Sequence, residues 1–456
     1  MVYLIAIISA ISGFLFGYDE GIISGFLHLL IKEFSMSALV TGMVTSALPF
    51  GAVVGSVIIG ALLTSVFVRR IGRRLLLLVV ANLYTLGGII IAFAPNSLVL
   101  TLARSILGLA IGASAIVTPL FISETAPTII RGRLITIYQL AITLGILISY
   151  AVNYFLVKDA SWHAIYATVI IPAVFLLIGV FFLPESPRWL VLKGNDDEAK
   201  KVLNFLRKNV NQTEINTEFE AIKRAVSAEK PTSWSELFSP LHRPVVTVGI
   251  MLFLLQQLSG INAVIYYAPI IFANTGFVHA ASQNLATLII GVVNFLTTIL
   301  AMVLVERLGR FYLLLIGFVG TAISLGLIFF GSLLHFPQMN WLSLFALIAY
   351  IIFFAVSLGP LPYVLMSEIF PLNIRGAGMS VSSISNWVFN AIVVFLFPLL
   401  AQLIGIANFF GIFAFICLLG VAFTISYVPE TKGISLEQIE TYVNSGKPLS
   451  RLGRNN

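Results

Sequence analysis

Charge is what this chain has least of. Lys, Arg, Asp and Glu together make up 10% of its 456 residues, where a soluble domain carries about a quarter. Hydrophobic residues make up 59%, and the mean hydropathy is +1.02. Such a chain cannot cover itself for water, so its solvent is lipid. Cysteine is nearly absent too. Cys417 is alone, which excludes an intramolecular disulfide and leaves it as lipid- or core-facing filler. The five histidines are scattered, and there is no zinc spacing, no Walker loop and no Gly-x-Ser-x-Gly. Enzymes and ATP-driven pumps are thereby disfavoured, and no cofactor or metal is expected. The net charge of +7 reads as membrane topology and not as a nucleic-acid partner, because the basic residues cluster at one set of loops.

What is present is a succession of apolar runs. They predict spans at about 2–27, 38–68, 75–94, 98–122, 134–157, 163–183, 245–274, 283–305, 311–334, 340–366, 377–403 and 407–428, each close to the roughly 20 residues that cross a bilayer. The expected fold is all-α and integral to the membrane, with twelve transmembrane helices. One long polar stretch, 184–243, holds amphipathic pieces at 196–209 and 213–228, which predict short helices at the membrane surface. The domain reading is an N-terminal six-helix bundle (1–183), a cytoplasmic linker (184–243), a C-terminal six-helix bundle (244–428) and a cytoplasmic tail (429–456). Arg69, Arg70, Arg73 and Arg74 follow span 2, Arg131 and Arg133 follow span 4, and Arg307, Arg310 and Arg375 follow spans 8 and 10, whereas the other side offers only Lys32 and Lys158. The positive-inside rule then puts both termini in the cytoplasm of a cell inner (plasma) membrane protein. With no basic n-region ahead of the first apolar run, the first span is expected to serve as the targeting signal.

The chain also repeats itself. Ser123-Glu124-Thr125-Ala126-Pro127 with Arg131-Gly132 returns as Ser367-Glu368-Ile369-Phe370-Pro371 with Arg375-Gly376, both pairs 244 residues apart. Pro184-Glu185-Ser186 returns as Pro429-Glu430-Thr431, and Arg70-Ile71-Gly72-Arg73 as Arg307-Leu308-Gly309-Arg310. Ordered matches at nearly constant offset mark two six-span copies in the same orientation, a plan that places a transport site between the halves near the midplane.

Inside the spans, the exceptions to apolarity are the candidate site. Asp19 falls in span 1 and Arg104 in span 4. Either both lie near a surface and reach water, or they form a pair whose strength depends on whether Asp19 carries a proton. The adjacent Glu20, about 100° around the helix, is an alternative titrating group. Span 7 contains Gln256, Gln257, Asn262 and the pair Tyr266-Tyr267. Amides both donate and accept, as sugar hydroxyls do. On an ideal helix Gln256 and Asn262 do not share a face, and a kink at Gly260 would let them converge. Interhelical hydrogen bonding is the alternative. Lone amides occur at Gln139, Asn294, Asn386 and Asn390, with Trp387 beside the last two. Gly359-Pro360-Leu361-Pro362 predicts a break or hinge in span 10. The Gly51/Gly55 and Gly108/Gly112 pairs predict close helix packing.

These motifs together resemble the sugar porter family of the major facilitator superfamily, over nearly the whole length. The carriers are Phe16-Gly17-Tyr18-Asp19 through Gly25, Pro184-Glu185-Ser186-Pro187-Arg188-Trp189, Gln256-Gln257 through Asn262, and Pro429-Glu430-Thr431-Lys432-Gly433. Proton-coupled glucose and xylose symporters and glucose facilitators are the nearest likeness. The resemblance implies that Gln139, Gln256, Gln257, Asn262 and Asn294 hydrogen-bond the sugar, and that Phe16, Tyr266, Asn386 and Trp387 complete the pocket. It further implies Asp19 as the proton site with Arg104 as its partner. Glu124, Arg131, Glu185, Glu368, Arg375 and Glu430 would be cytoplasmic salt bridges joining the halves when the outside is open. Three departures stand out. Tyr363 occupies a place in span 10 usually held by Trp. Arg69 replaces the usual Asp before Arg-x-Gly-Arg-Arg, with Ser65–Arg69 looking inserted. Glu20 replaces a small neutral residue.

The reading is a monomeric sugar–proton symporter of a monosaccharide, a hexose such as glucose, working by alternating access. Its partners are the sugar, the proton and the lipid bilayer. A proton-independent facilitator and a non-transporting sugar sensor are the rivals.

Overall fold

The computed structural model describes residues 2–64, 71–127, 130–156, 161–208, 211–228, 234–371, 374–434 and 436–454. Twelve helices are long and apolar enough to cross a membrane: Val2–Glu33, Ala38–Gly60, Arg73–Ala92, Ser97–Thr125, Arg133–Leu156, Trp162–Phe181, Arg243–Asn274, Ala280–Val305, Arg310–Leu333, Met339–Ile369, Arg375–Ile404 and Ile406–Tyr427. They are spans 1 to 12 below. The protein is thus a multi-pass, all-helical membrane protein, with no strand among the described residues. Several spans outrun the apolar runs that predict them. Span 1 continues to Glu33 because its polar end is anchored: Trp162 Nε1 donates to Glu33 Oε2 at 2.6 Å. The polar stretch after span 6 holds helices Pro187–Leu192, Asp196–Leu206, Gln212–Ala228 and Trp234–Leu237. Trp189, Leu203, Ile215 and Phe219 build a small core of their own there.

Close packing follows the small residues. A Cβ on Gly51 or Gly55 would lie 2.3 or 2.4 Å from the carbonyl oxygen of Ser105 or Leu109, and one on Gly108 or Gly112 would lie 2.1 Å from that of Leu48 or Ala52. Spans 2 and 4 therefore touch backbone to backbone along these two pairs, as the spacing predicts. Cys417 is fully buried, so it faces the core and not lipid.

Across the halves, span 2 lies along span 11, span 5 along span 8, and span 1 against the second part of span 7. The face bearing the Arg-x-Gly-Arg motifs and the middle segment is the basic face. The ties at the site level and beyond it lie away from that face: Tyr150 donates to the Ile265 carbonyl at 3.0 Å, and Tyr267 meets Thr45 Oγ1 at 2.6 Å. The first part of span 7, Arg243–Leu258, packs instead on spans 10, 11 and 12 of its own half.

Candidate functional site

Span 7 is not one helix. It runs Arg243–Leu258, turns at Gly260 with φ of +93°, and resumes as Ile261–Asn274. That left-handed turn costs other residues about 1–2 kcal/mol, and a Cβ would also strike the Phe413 ring at 2.4 Å. The turn brings Asn262 against Gln257: Asn262 Nδ2 donates to Gln257 Oε1 at 2.5 Å. Gln257 Nε2 donates onward to Asn386 Oδ1 at 2.5 Å, and Asn386 Nδ2 to the Tyr363 hydroxyl at 3.2 Å. A chain of four polar side chains thus links spans 7, 11 and 10. Phe16 of span 1 meets Trp387 with ring centroids 5.2 Å apart, closing the chain against the N-terminal half. Tyr363 packs edge-on to Phe253 and remains 42% exposed.

Gln256 differs from the expectation that it converges with Asn262. Its Nε2 donates to the carbonyl oxygens of Leu358 at 2.7 Å and Gly359 at 3.1 Å. The reason lies in span 10, which passes from α-helix (Met339–Phe353) through a π-helical turn (Phe354–Leu358) to a final helix (Leu361–Ile369). Leu358 would bond the N–H four residues on, but that residue is Pro362 and has none. Gln256 fills the vacancy and leaves its own Oε1, buried, without a partner. Tyr266 Oη and Asn390 Oδ1 are likewise buried without a partner. Gln139 is half-buried on span 5 and Asn294 buried on span 8. Neither belongs to the hydrogen-bonded chain.

Behind this chain lie the charges. Arg104 Nη1 stands 3.4 Å from Asp19 Oδ2, and both side chains are buried. The surface alternative for these two is thereby removed. Tyr166 of span 6 bridges them: Arg104 Nη1 donates to its hydroxyl at 2.7 Å, and that hydroxyl donates to Asp19 Oδ1. The remaining guanidinium donors reach the carbonyls of Val44 at 2.9 Å and Thr45 at 3.5 Å. Tyr266 lies beside the guanidinium, its ring centroid 6.0 Å away. Sequence reasoning missed Tyr166, since a tyrosine in an apolar span carries no signal of what it touches.

At the basic face the repeat becomes two copies of one device. In the N-terminal half, Glu124 takes Arg73 Nε at 3.1 Å and the Ser186 hydroxyl at 2.5 Å. Glu185 accepts the N–H groups of Arg74 at 3.1 Å and Ser186 at 2.8 Å. In the C-terminal half, Glu368 takes Arg310 Nη2 at 2.7 Å and the Thr431 hydroxyl at 2.6 Å. Glu430 accepts the N–H groups of Arg310 at 3.0 Å and Phe311 at 3.1 Å. Glu185 and Glu430 thus sit on the N-termini of spans 3 and 9, where unpaired N–H groups and the helix dipole favour an anion. The preceding glycines are required there: a Cβ on Gly72 would fall 2.0 Å from Glu185 Oε2, and one on Gly309 2.5 Å from Glu430 Oε2. Burial raises the Glu185 carboxyl above its ordinary value, while the N–H groups of Ser186 and Arg74 pull it back.

The expected bridges between halves belong to the state open outward. Each of the four carboxylates is held within its own half, and the partners of Glu124 and Glu368 include Arg73 and Arg310, which the candidate set lacked. The repeated Arg-x-Gly-Arg was the available signal. Arg375 Nε donates to the Phe370 carbonyl at 3.1 Å. The side chain of Arg131, and the segment 65–70 with Arg69, lie outside the described residues.

The chain matches a family described as "Sugar (and other) transporter" over residues 5–442. The "Putative metabolite transport protein YwtG" of Bacillus subtilis is 41% identical over 94% of this chain and 93% of its own length. The "Galactose-proton symporter" of Escherichia coli is 37% identical over 99% and 97%. Among solved structures, the inward open conformation of the xylose transporter XylE from E. coli superposes with a TM-score of 0.83. It is 29% identical and covers 97% of this chain and 100% of that one.

Proposed function

The chain belongs to the sugar transporter family of the major facilitator superfamily, and from that premise we propose that it carries a monosaccharide together with a proton across the plasma membrane by alternating access. One observation carries the reading: a chain of amides set by a broken span, with Tyr266, one turn on from Asn262, reaching the guanidinium of a buried carboxylate–guanidinium pair. Asn262, Gln257, Asn386 and Tyr363 offer a monosaccharide alternating donors and acceptors, and Trp387 with Phe16 offers a flat apolar face. Gln256, Gln139, Asn294 and Tyr266 complete the walls. A hexose such as glucose or galactose suits this set.

Asp19 is the coupling group. Protonated, it loses its attraction for Arg104, and the guanidinium then keeps Tyr166 and the carbonyls of span 2. Coupling follows only if proton and sugar each favour one conformation differentially. One proton crossing 100 mV releases about 2.3 kcal/mol. The termini and the basic face lie in the cytoplasm in this reading, and the similarity to the inward open conformation of XylE supports an inward-facing state. In the state open to the other side, the two carboxylate–arginine devices meet and hold the halves together.

The test is uptake of labelled glucose, galactose, xylose and inositol into proteoliposomes, with and without an inward proton gradient. Gradient-driven accumulation in the wild type, reduced to equilibration in Asp19→Asn, is expected. Uptake that only equilibrates in both proteins would make this a facilitator and Asp19 a structural residue.

A further inference from the structure

Among the described residues, Glu20 is the deeply buried carboxylate with no role in what has been described. It is 3% exposed, and its Oε1 has no hydrogen-bond partner. It follows Phe16 by four residues on span 1, so it shares the face that meets Trp387. Among the described residues, the ionisable groups that sense its charge include Asp19, Arg104, Tyr84 of span 3, Tyr150 of span 5, Tyr266 of span 7 and Tyr363 of span 10. Arg104 is the only cation among them. It is engaged by Asp19 and by the bridging Tyr166.

Two buried carboxylates therefore share one guanidinium, and the geometry gives it to Asp19. Asp19 Oδ1 takes the Tyr166 hydroxyl, and Oδ2, which accepts no hydrogen bond, stands 3.4 Å from Arg104 Nη1, so the guanidinium is paired in charge with Asp19. A carboxylate left without a counter-charge in a closed, low-dielectric site is relieved by taking up a proton. When the site is open to water the cost falls and the proton can leave. Access alternates between the two faces, so such a group takes a proton from one and releases it to the other.

We propose that Glu20 is a proton-binding site in its own right, beside the sugar and separate from the Asp19–Arg104 pair, and that its proton moves with the sugar. The step is a simple transfer: a hydronium on the entry side protonates the Glu20 carboxylate, and water on the exit side takes the proton back. This rests on the symport reading and adds a second carrier to it.

The experiment is the proton-to-sugar ratio in proteoliposomes holding a pH-sensitive dye. The probe is whichever of labelled glucose, galactose, xylose or inositol exchanges fastest. Glu20→Gln keeps the shape and removes the titration, so the ratio is expected to fall by about one proton per sugar, with sugar exchange retained. Glu20→Thr, smaller and equally neutral, gives the same reading if the Gln variant fails to insert. An unchanged ratio in a variant that still exchanges sugar overturns the proposal and leaves symport standing. A wild-type ratio of zero overturns symport itself, and the Glu20 carrier with it. A ratio that falls in the Glu20 variants but stands in Asp19→Asn supports Glu20 and removes Asp19 as the coupling group.

Discussion

Spans 1 and 7 occupy the same place in the two copies, and they do different chemistry. Span 1 carries Asp19 and no amide, while span 7 carries Gln256, Gln257 and Asn262 and no carboxylate. Span 1 is one unbroken helix from Val2 to Glu33. Span 7 is interrupted at Gly260. A charge in lipid needs deep burial and partners on neighbouring helices, which a regular helix packed on spans 4 and 6 supplies. A sugar site needs several amides converging from one element, and a regular helix would spread them around its circumference. The fold was copied. Of these two matching spans, one carries the buried carboxylate and the other the amides.

Substitutions can break that division at either end. The largest effect is expected from Arg104→Ala, which strands Asp19 in the interior. Breaking a buried pair costs about 3–5 kcal/mol, so the detergent-solubilised protein should melt well below wild type, and Arg104→Ala/Asp19→Ala should recover part of the loss. Next is Gly260→Ala. A left-handed turn held by a non-glycine residue costs about 1–3 kcal/mol, and the Phe413 ring must move as well. Sugar affinity should fall along with the melting temperature, because Asn262 no longer meets Gln257.

Gln257→Ala removes the centre of the amide chain without touching the backbone. Leaving Asn262 and Asn386 unpaired costs about 1–3 kcal/mol, so sugar binding measured by calorimetry should weaken by about five- to 150-fold while the protein still inserts. Binding at wild-type strength would remove the amide chain from the site. The smallest effect is expected from Gln256→Leu, which gives up its bonds to the Leu358 and Gly359 carbonyls, each worth about 1 kcal/mol net. If the break in span 10 depends on those bonds, transport rate should drop more than affinity does. Equal drops would make Gln256 a sugar ligand first.

Much of the fold was legible. Twelve spans, the long amphipathic segment and the doubled motif are one-dimensional signals of apolar length and spacing. The site was legible in composition but not in pairing. Gln256, Gln257 and Asn262 stand out because amides are rare in apolar runs, yet nothing in their spacing assigns Gln256 to the carbonyl that Pro362 leaves bare. Asp19 and Arg104 stand out by charge, whereas Tyr166 between them does not. At the basic face, the resemblance implied bridges between the halves in the state open outward. The seats of Glu185 and Glu430 on helix N-termini were not legible, because a carboxylate gains from backbone N–H groups that no side-chain inventory lists.

The sequence by itself determined that this chain lives in a membrane, crosses it twelve times and is built from two copies, because lipid forces every apolar stretch of sufficient length into a helix. Only the tertiary structure decided which buried polar groups satisfy one another. That choice depends on which faces of distant helices meet, and on where a glycine or a proline interrupts them. It is the reason Asp19 holds the guanidinium while Glu20, one residue away, has none.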